Sequence, residues 1–228
     1  KNAFGGSDVN GNIEGKIHVK VFNLGNPCGD LDLTNLYGAG RNTPYTPNYT
    51  VSTGQQRLVP EVNVINGTVK GNVFGGGYGV SATTTANPVV NMGYTDAMGS
   101  SSVEGSLVDM LIDTAVAHHH TVPANYTAYV WQEVYGGGDA GKVNGSTTVN
   151  VNSGTIGLGS NDIYGMVYGG GKGSATQTGY GIVTGDTHVN MMGGWVKGDV
   201  YGGGNAGKVE GNTTLTMTGG TVSGFEIS

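Results

Sequence analysis

Residues 134–156, VYGGGDAGKVNGSTTVNVNSGTI, and residues 200–222, VYGGGNAGKVEGNTTLTMTGGTV, are two copies of one unit. Each joins an aromatic residue to three glycines, then a V-x-G turn, then a run in which apolar and polar residues alternate. Alternation with period two is the pattern of a strand buried on one face. In the later copy Thr213, Leu215 and Met217 fall on one face, and Thr214, Thr216 and Thr218 on the other. The aromatic-glycine element recurs as Phe4-Gly5-Gly6, Tyr37-Gly38-Ala39-Gly40, Phe74-Gly75-Gly76-Gly77, Tyr135-Gly136-Gly137-Gly138, Tyr168-Gly169-Gly170-Gly171 and Tyr201-Gly202-Gly203-Gly204.

Successive aromatics in this series are spaced by 33, 37, 61, 33 and 33, yet 33 is not the basic period. The V-x-G turn and its strand form a second landmark, at Ile13, Val143, Val183 and Val209. From aromatic to central strand residue the step is 14 (Tyr135 to Val149), 21 (Tyr168 to Val189) and 14 (Tyr201 to Leu215). The return step to the next aromatic is 19 from Val149 and 12 from Val189. The shortest legs, 14 and 12, define a coil of ~26 residues, and insertions of 7 at different corners restore the spacing of 33. Stacked coils tolerate this, because loops leave the stack without disturbing its register.

The expected fold is therefore all-β: a parallel β-solenoid (β-helix) of about six coils of ~26 residues, one domain over residues 1–228. Insertions are expected at 22–35, 41–58 and 93–133. Each coil should hold three short strands: one side like 194–201, a short side like 207–211, and the alternating side like 213–217. The glycine triplets are expected at corners, where Gly reaches positive φ freely. The six aromatics are expected to stack in a column. Within 93–133, Ser101 and Glu104 have capping-box spacing, and Leu107, Met110, Leu111 and Ala115 would share a helix face; a strand from Leu107 to Ile112 is the alternative.

Composition excludes several classes. Gly contributes 45 of 228 residues, but with 6 Pro and no triplet period the chain is not collagen. With 11% charged and 36% hydrophobic residues in ordered alternation, it is not a disordered polyelectrolyte. A net charge of −6 and 10 scattered basic residues argue against nucleic acid. Cys28 stands alone, so neither an internal disulfide nor a thiolate zinc site is available. No apolar run approaches the ~18 residues of a membrane helix. The start at Lys1, without Met or signal peptide, is that of a processed form or a fragment.

The two quoted strings resemble the glycine-rich repeats of secreted bacterial β-helix proteins, including adhesins and autotransporter passenger domains. The likeness covers the repetitive part, about two-thirds of the chain. It implies extracellular or cell-surface display and a role in adhesion or scaffolding, and it carries over no catalytic residue.

No catalytic, cofactor or metal residues are expected. After the triplets, equivalent positions hold Asp139, Lys172 and Asn205, not the recurrent Asp of calcium-binding repeats. No G-K-S/T follows the glycines to make a phosphate loop. His118-His119-His120 are adjacent and cannot easily all face one ion. The outward pairs His18/Lys20, Thr148/Asn150, His188/Asn190 and Thr214/Thr216 are too irregular for an ice-binding array. The sequons at Asn48, Asn66 and Asn125 follow from an Asn- and Thr-rich composition. An enzyme would draw on Arg41 or Arg57 with Asp30 or Asp32, the nearest approach to a catalytic pair. The candidate binding loop comprises Arg41, Tyr45, Tyr49 and Arg57. No polar cap closes either end, so the expected partners are further copies of this chain or flanking repeats. The leading expectation is a non-catalytic extracellular structural protein, a stalk or self-assembling filament segment. A carbohydrate- or host-binding adhesin module and a β-helix polysaccharide lyase or hydrolase are the alternatives.

Overall fold

A computed structural model describes residues 1–23, 31–51, 57–93, 127–158 and 164–223. The described residues contain no helix, so none long and apolar enough to cross a membrane, and their named strands pair only in parallel. The strands are numbered β1 to β16 in chain order. The Val-Tyr positions form a six-stranded sheet of dipeptide strands: β1 (Ala3–Phe4), β3 (Leu36–Tyr37), β5 (Val73–Phe74), β8 (Val134–Tyr135), β11 (Val167–Tyr168) and β14 (Val200–Tyr201). The alternating runs form a second set: β2 (His18–Phe22), β4 (Glu61–Val69), β6 (Val89–Met92), β9 (Thr147–Val151), β12 (Thr187–Met191) and β15 (Thr213–Met217). A third set holds β7 (Ala128–Val130), β10 (Thr155–Ile156), β13 (Trp195–Val196) and β16 (Thr221–Val222). Strand β4 joins the last two sets: Glu61–Val64 pair with β6, and Gly67–Val69 pair with β7.

Register follows the repeat. Val149 pairs with Val189 and Val189 with Leu215, while Tyr135 pairs with Tyr168 and Tyr168 with Tyr201. The alternation turns Val62, Val64, Val90, Met92, Val149, Val151, Val189 and Met191 into one core. Val73, Val134 and Val167 enter it from the first sheet, and Val69, Val130, Ile156 and Val196 from the third. Each is essentially fully buried, and each such side chain stabilises by roughly 1.5–3 kcal/mol.

Four details depart from the sequence reading. The side expected over 194–201 is two sides: Trp195–Val196 pair with β10 and β16, whereas Val200–Tyr201 pair with β11. Between them Gly198 passes so close to Gly165 that a Cβ would lie 2.5 Å from its carbonyl oxygen. The short side expected over 207–211 is not a strand but a row of single bridges linking Tyr45, Thr84, Val143, Val183 and Val209. The insertions are narrower than expected. Leu33 bridges Val69, Arg41 bridges Tyr78, Tyr45 bridges Thr84, and Ala128–Val130 pair with β4 and β10, so the sheets recover the margins of all three. The expected helix of 101–115 lies outside the described residues.

The fourth departure concerns glycine. None of the triplet glycines has positive φ; that conformation falls at Gly154, Gly194 and Gly220 (φ 87°, 77° and 87°), where the alternating strand turns into the third set. The triplets are required for space instead. A Cβ on Gly137 would sit 2.8 Å from Gly171 Cα, and one on Gly169 would strike the Gly202 carbonyl oxygen. Gly203, in the last copy, meets nothing within 4 Å. Gly169→Ala should therefore cost about 1–3 kcal/mol through overpacking. Gly203→Ala should be neutral or gain up to about 1 kcal/mol from a stiffer unfolded chain. Paired urea denaturation curves measure the contrast.

Candidate functional site

Parallel strands lie about 4.8 Å apart, so like residues in register meet at stacking distance. Phe4, Tyr37, Phe74, Tyr135, Tyr168 and Tyr201 form one column with successive ring centroids 4.7, 4.9, 4.8, 4.9 and 5.1 Å apart and planes within 11°. The column lies on the face opposite the valine core and is a separate cluster. Residues beyond the glycine triplets reach it: the Tyr37 hydroxyl donates to Asp139 (3.3 Å), and Asn205 Nδ2 donates to the Tyr135 hydroxyl (3.2 Å). Tyr135 in turn donates to Glu133 at 2.7 Å. Ala140 and Ala206 follow these two residues with φ of 60° and 53°, a left-handed kink. Burial is the main cause that raises the phenol pKa of Tyr37 and Tyr135, and lifts Tyr168 to about 12. Burial likewise raises the Asp139 carboxyl, against the opposing pull of Lys172.

A second column escaped the sequence reading, which placed Asn150 and Asn190 on an irregular outward face. Asn63, Asn91, Asn150 and Asn190 share one register position. Asn91 donates its amide to Asn63 at 2.7 Å, Asn150 to Asn91 at 2.8 Å and Asn190 to Asn150 at 2.9 Å. Asn63 is completely buried. The signal was present in Val62-Asn63-Val64, Val90-Asn91-Met92, Val149-Asn150-Val151 and Val189-Asn190-Met191.

The candidate binding loop divides. Tyr45 is buried, its hydroxyl donating to the Gly15 carbonyl at 2.7 Å, so it cannot face a ligand. Arg41 forms a two-pronged pair with Asp8, both contacts 2.6 Å, away from the other loop residues. Tyr49 and Arg57 do come together: the Arg57 guanidinium lies 5.7 Å from the ring centroid, and its Nε donates to the Tyr49 carbonyl at 3.2 Å. Lys16 Nζ stands 5.2 Å from the same centroid. Beside them opens a groove of about 360 Å³ lined by Lys16, His18, Tyr49, Val51, Leu58, Val59 and Glu61. Across it His18 Nδ1 lies 2.8 Å from Glu61 Oε2. Lys16, His18 and Glu61 were not among the binding residues expected; strand pairing of β2 with β4 sets His18 opposite Glu61.

The expected Arg–Asp catalytic pair does not assemble among the described residues: Arg41 holds Asp8, and Asp32 holds Lys70 at 2.9 Å. Asp30 and His118–His120 lie outside the described residues, among which no three His, Cys, Asp or Glu side chains converge. The chain matches no family model, no curated protein and no solved structure.

Two outcomes follow from the aromatic column. The folded state holds the phenol protons more tightly than the unfolded chain. Their contribution to stability is therefore complete below pH ~10 and falls as pH rises through about 12, where Tyr168 ionises. Thermal melts against pH, read beside phenolate absorbance, measure this. The Asp139 carboxyl is shifted the same way, so its burial costs stability at neutral pH. Asp139→Asn, which installs the residue found at equivalent position 205, should raise Tm in melts at neutral pH.

Proposed function

We propose that the chain is a β-solenoid acting as a non-catalytic structural segment of a bacterial surface stalk or filament, extended by stacking further repeats on its last copy. One contrast carries this reading. In β15 and β16, Leu215, Met217 and Val222 are 43%, 50% and 38% exposed, whereas Val189, Met191 and Val196, one copy earlier, are 0% exposed. Among the described residues, β14, β15 and β16 are each paired on one side. A strand edge with open hydrogen-bonding groups beside bare apolar side chains is a template for another strand. The opposite end offers a matching form: β2 and β15 are both five residues long, and Phe4 and Tyr201 terminate one aromatic column. Head-to-tail addition of a second copy would continue the column and cover the apolar face, and heterologous contacts of this type generate filaments. Surface display rests on the resemblance of the repeats to secreted bacterial β-helix proteins.

Sedimentation and electron microscopy across a concentration series test the proposal. The wild-type chain should form linear oligomers, and Leu215→Glu with Met217→Glu should weaken association by at least about tenfold, since each buries a charge at the contact. Both side chains are already exposed, so circular dichroism should be unchanged. Monomers at every concentration, or equal association of the variant, would defeat the proposal.

A further inference from the structure

Lys16 and Arg57 both approach the Tyr49 ring, and among the described residues neither makes a salt bridge, while Arg41, Lys70 and Lys208 each meet a carboxylate. We infer that the groove beside Tyr49 binds an acidic saccharide, its carboxylate held by Lys16 in the lining, with Arg57, which contacts the lining residue Tyr49, adding a second positive charge nearby. The groove adjoins β2, the strand that head-to-tail addition would pair, so binding is measured at concentrations where the chain is monomeric. Guanidinium and ammonium groups suit a carboxylate, and such charge-assisted hydrogen bonds are the strong ones. Glu61, the one carboxylate lining the groove, is engaged by His18 at 2.8 Å, so it does not neutralise that pair of cations. Val51 and Leu58 supply an apolar wall for the C–H face of a sugar ring, with Leu58 53% exposed and Val59 buried behind them. Glu61 and His18 offer an acceptor and a ring nitrogen to its hydroxyls. The volume of about 360 Å³ is near the lower limit of ligand pockets, about 300–1,000 Å³, which suits a terminal sugar or a disaccharide unit. Inorganic phosphate would leave the apolar wall unused, and a neutral glycan would leave Lys16 and Arg57 without a counter-charge.

An array of uronate- and sialate-terminated oligosaccharides, with their methyl esters as neutral counterparts, is probed with the whole chain, and the best binder is titrated calorimetrically. Acidic forms should bind saturably, and esterification should weaken binding about tenfold, as should Lys16→Ala and Arg57→Ala. Lys208→Ala, in the last copy, should bind as wild type. Circular dichroism verifies the fold of each variant, and Lys16→Glu, a change at an exposed position, provides a charge-reversed check should Arg57→Ala unfold. Absence of binding to every acidic saccharide would overturn the inference. So would equal affinity for the methyl esters, or wild-type affinity in both Lys16 variants.

Discussion

Every feature of this molecule depends on parallel pairing that sets each copy of the repeat directly against the next, with one register shift among the described residues, at Val21/Phe22 between β2 and β4. Pairing at about 4.8 Å leaves no freedom in what a side chain meets: it meets its counterpart. Val149 meets Val189, Tyr135 meets Tyr168, and Asn150 meets Asn190. A one-residue slip would exchange the valine face for the polar face along an entire strand, so the core itself enforces the register that builds both side-chain columns.

The same closeness dictates where glycine must stand. In the triplets the backbone of one copy lies within contact distance of the next, as Gly137 does against Gly171. A methyl group there would force the sheets apart and disrupt pairing in every layer. Conformational freedom is needed elsewhere, at Gly154, Gly194 and Gly220, where the chain turns into the third sheet with positive φ. Glycine is abundant because one backbone meets two different demands in every copy.

Polar groups are handled by repetition as well. Buried amides generally find partners, and in the asparagine column the amides of Asn91, Asn150 and Asn190 each serve the residue before, leaving only the Asn63 Nδ2 at the head of the column buried without one. The phenols of Tyr135, Tyr168 and Tyr201 donate to the residue two positions earlier, Glu133, Met166 and Asp199, while Asp139 and Asn205 reach Tyr37 and Tyr135 from beyond the glycine triplets. In the last described copy Leu215 and Met217 lie open. Repetition is interrupted near the N-terminal end, where residues outside the repeat gather Lys16, Tyr49 and Arg57 beside one groove.

What could be read from the residues alone was periodic: the length of the repeating unit, the parallel all-β class, the alternating strands and the partners in the aromatic column. Periodicity reports these because identical local sequence makes identical local structure, and stacking superposes it. The split of 194–201 into two sides, the space-filling reason for the triplets and the asparagine column depend on how backbones approach across the stack, a distance that spacing does not encode. The groove was least legible. Tyr45 and Tyr49 look alike in a Pro/Thr/Tyr loop, yet packing buries one against the Gly15 carbonyl and leaves the other in contact with two cations. His18 and Glu61 lie 43 residues apart, and only strand pairing across the first two copies makes them neighbours. Position along the chain set the layers; contact between layers decided which side chains could act.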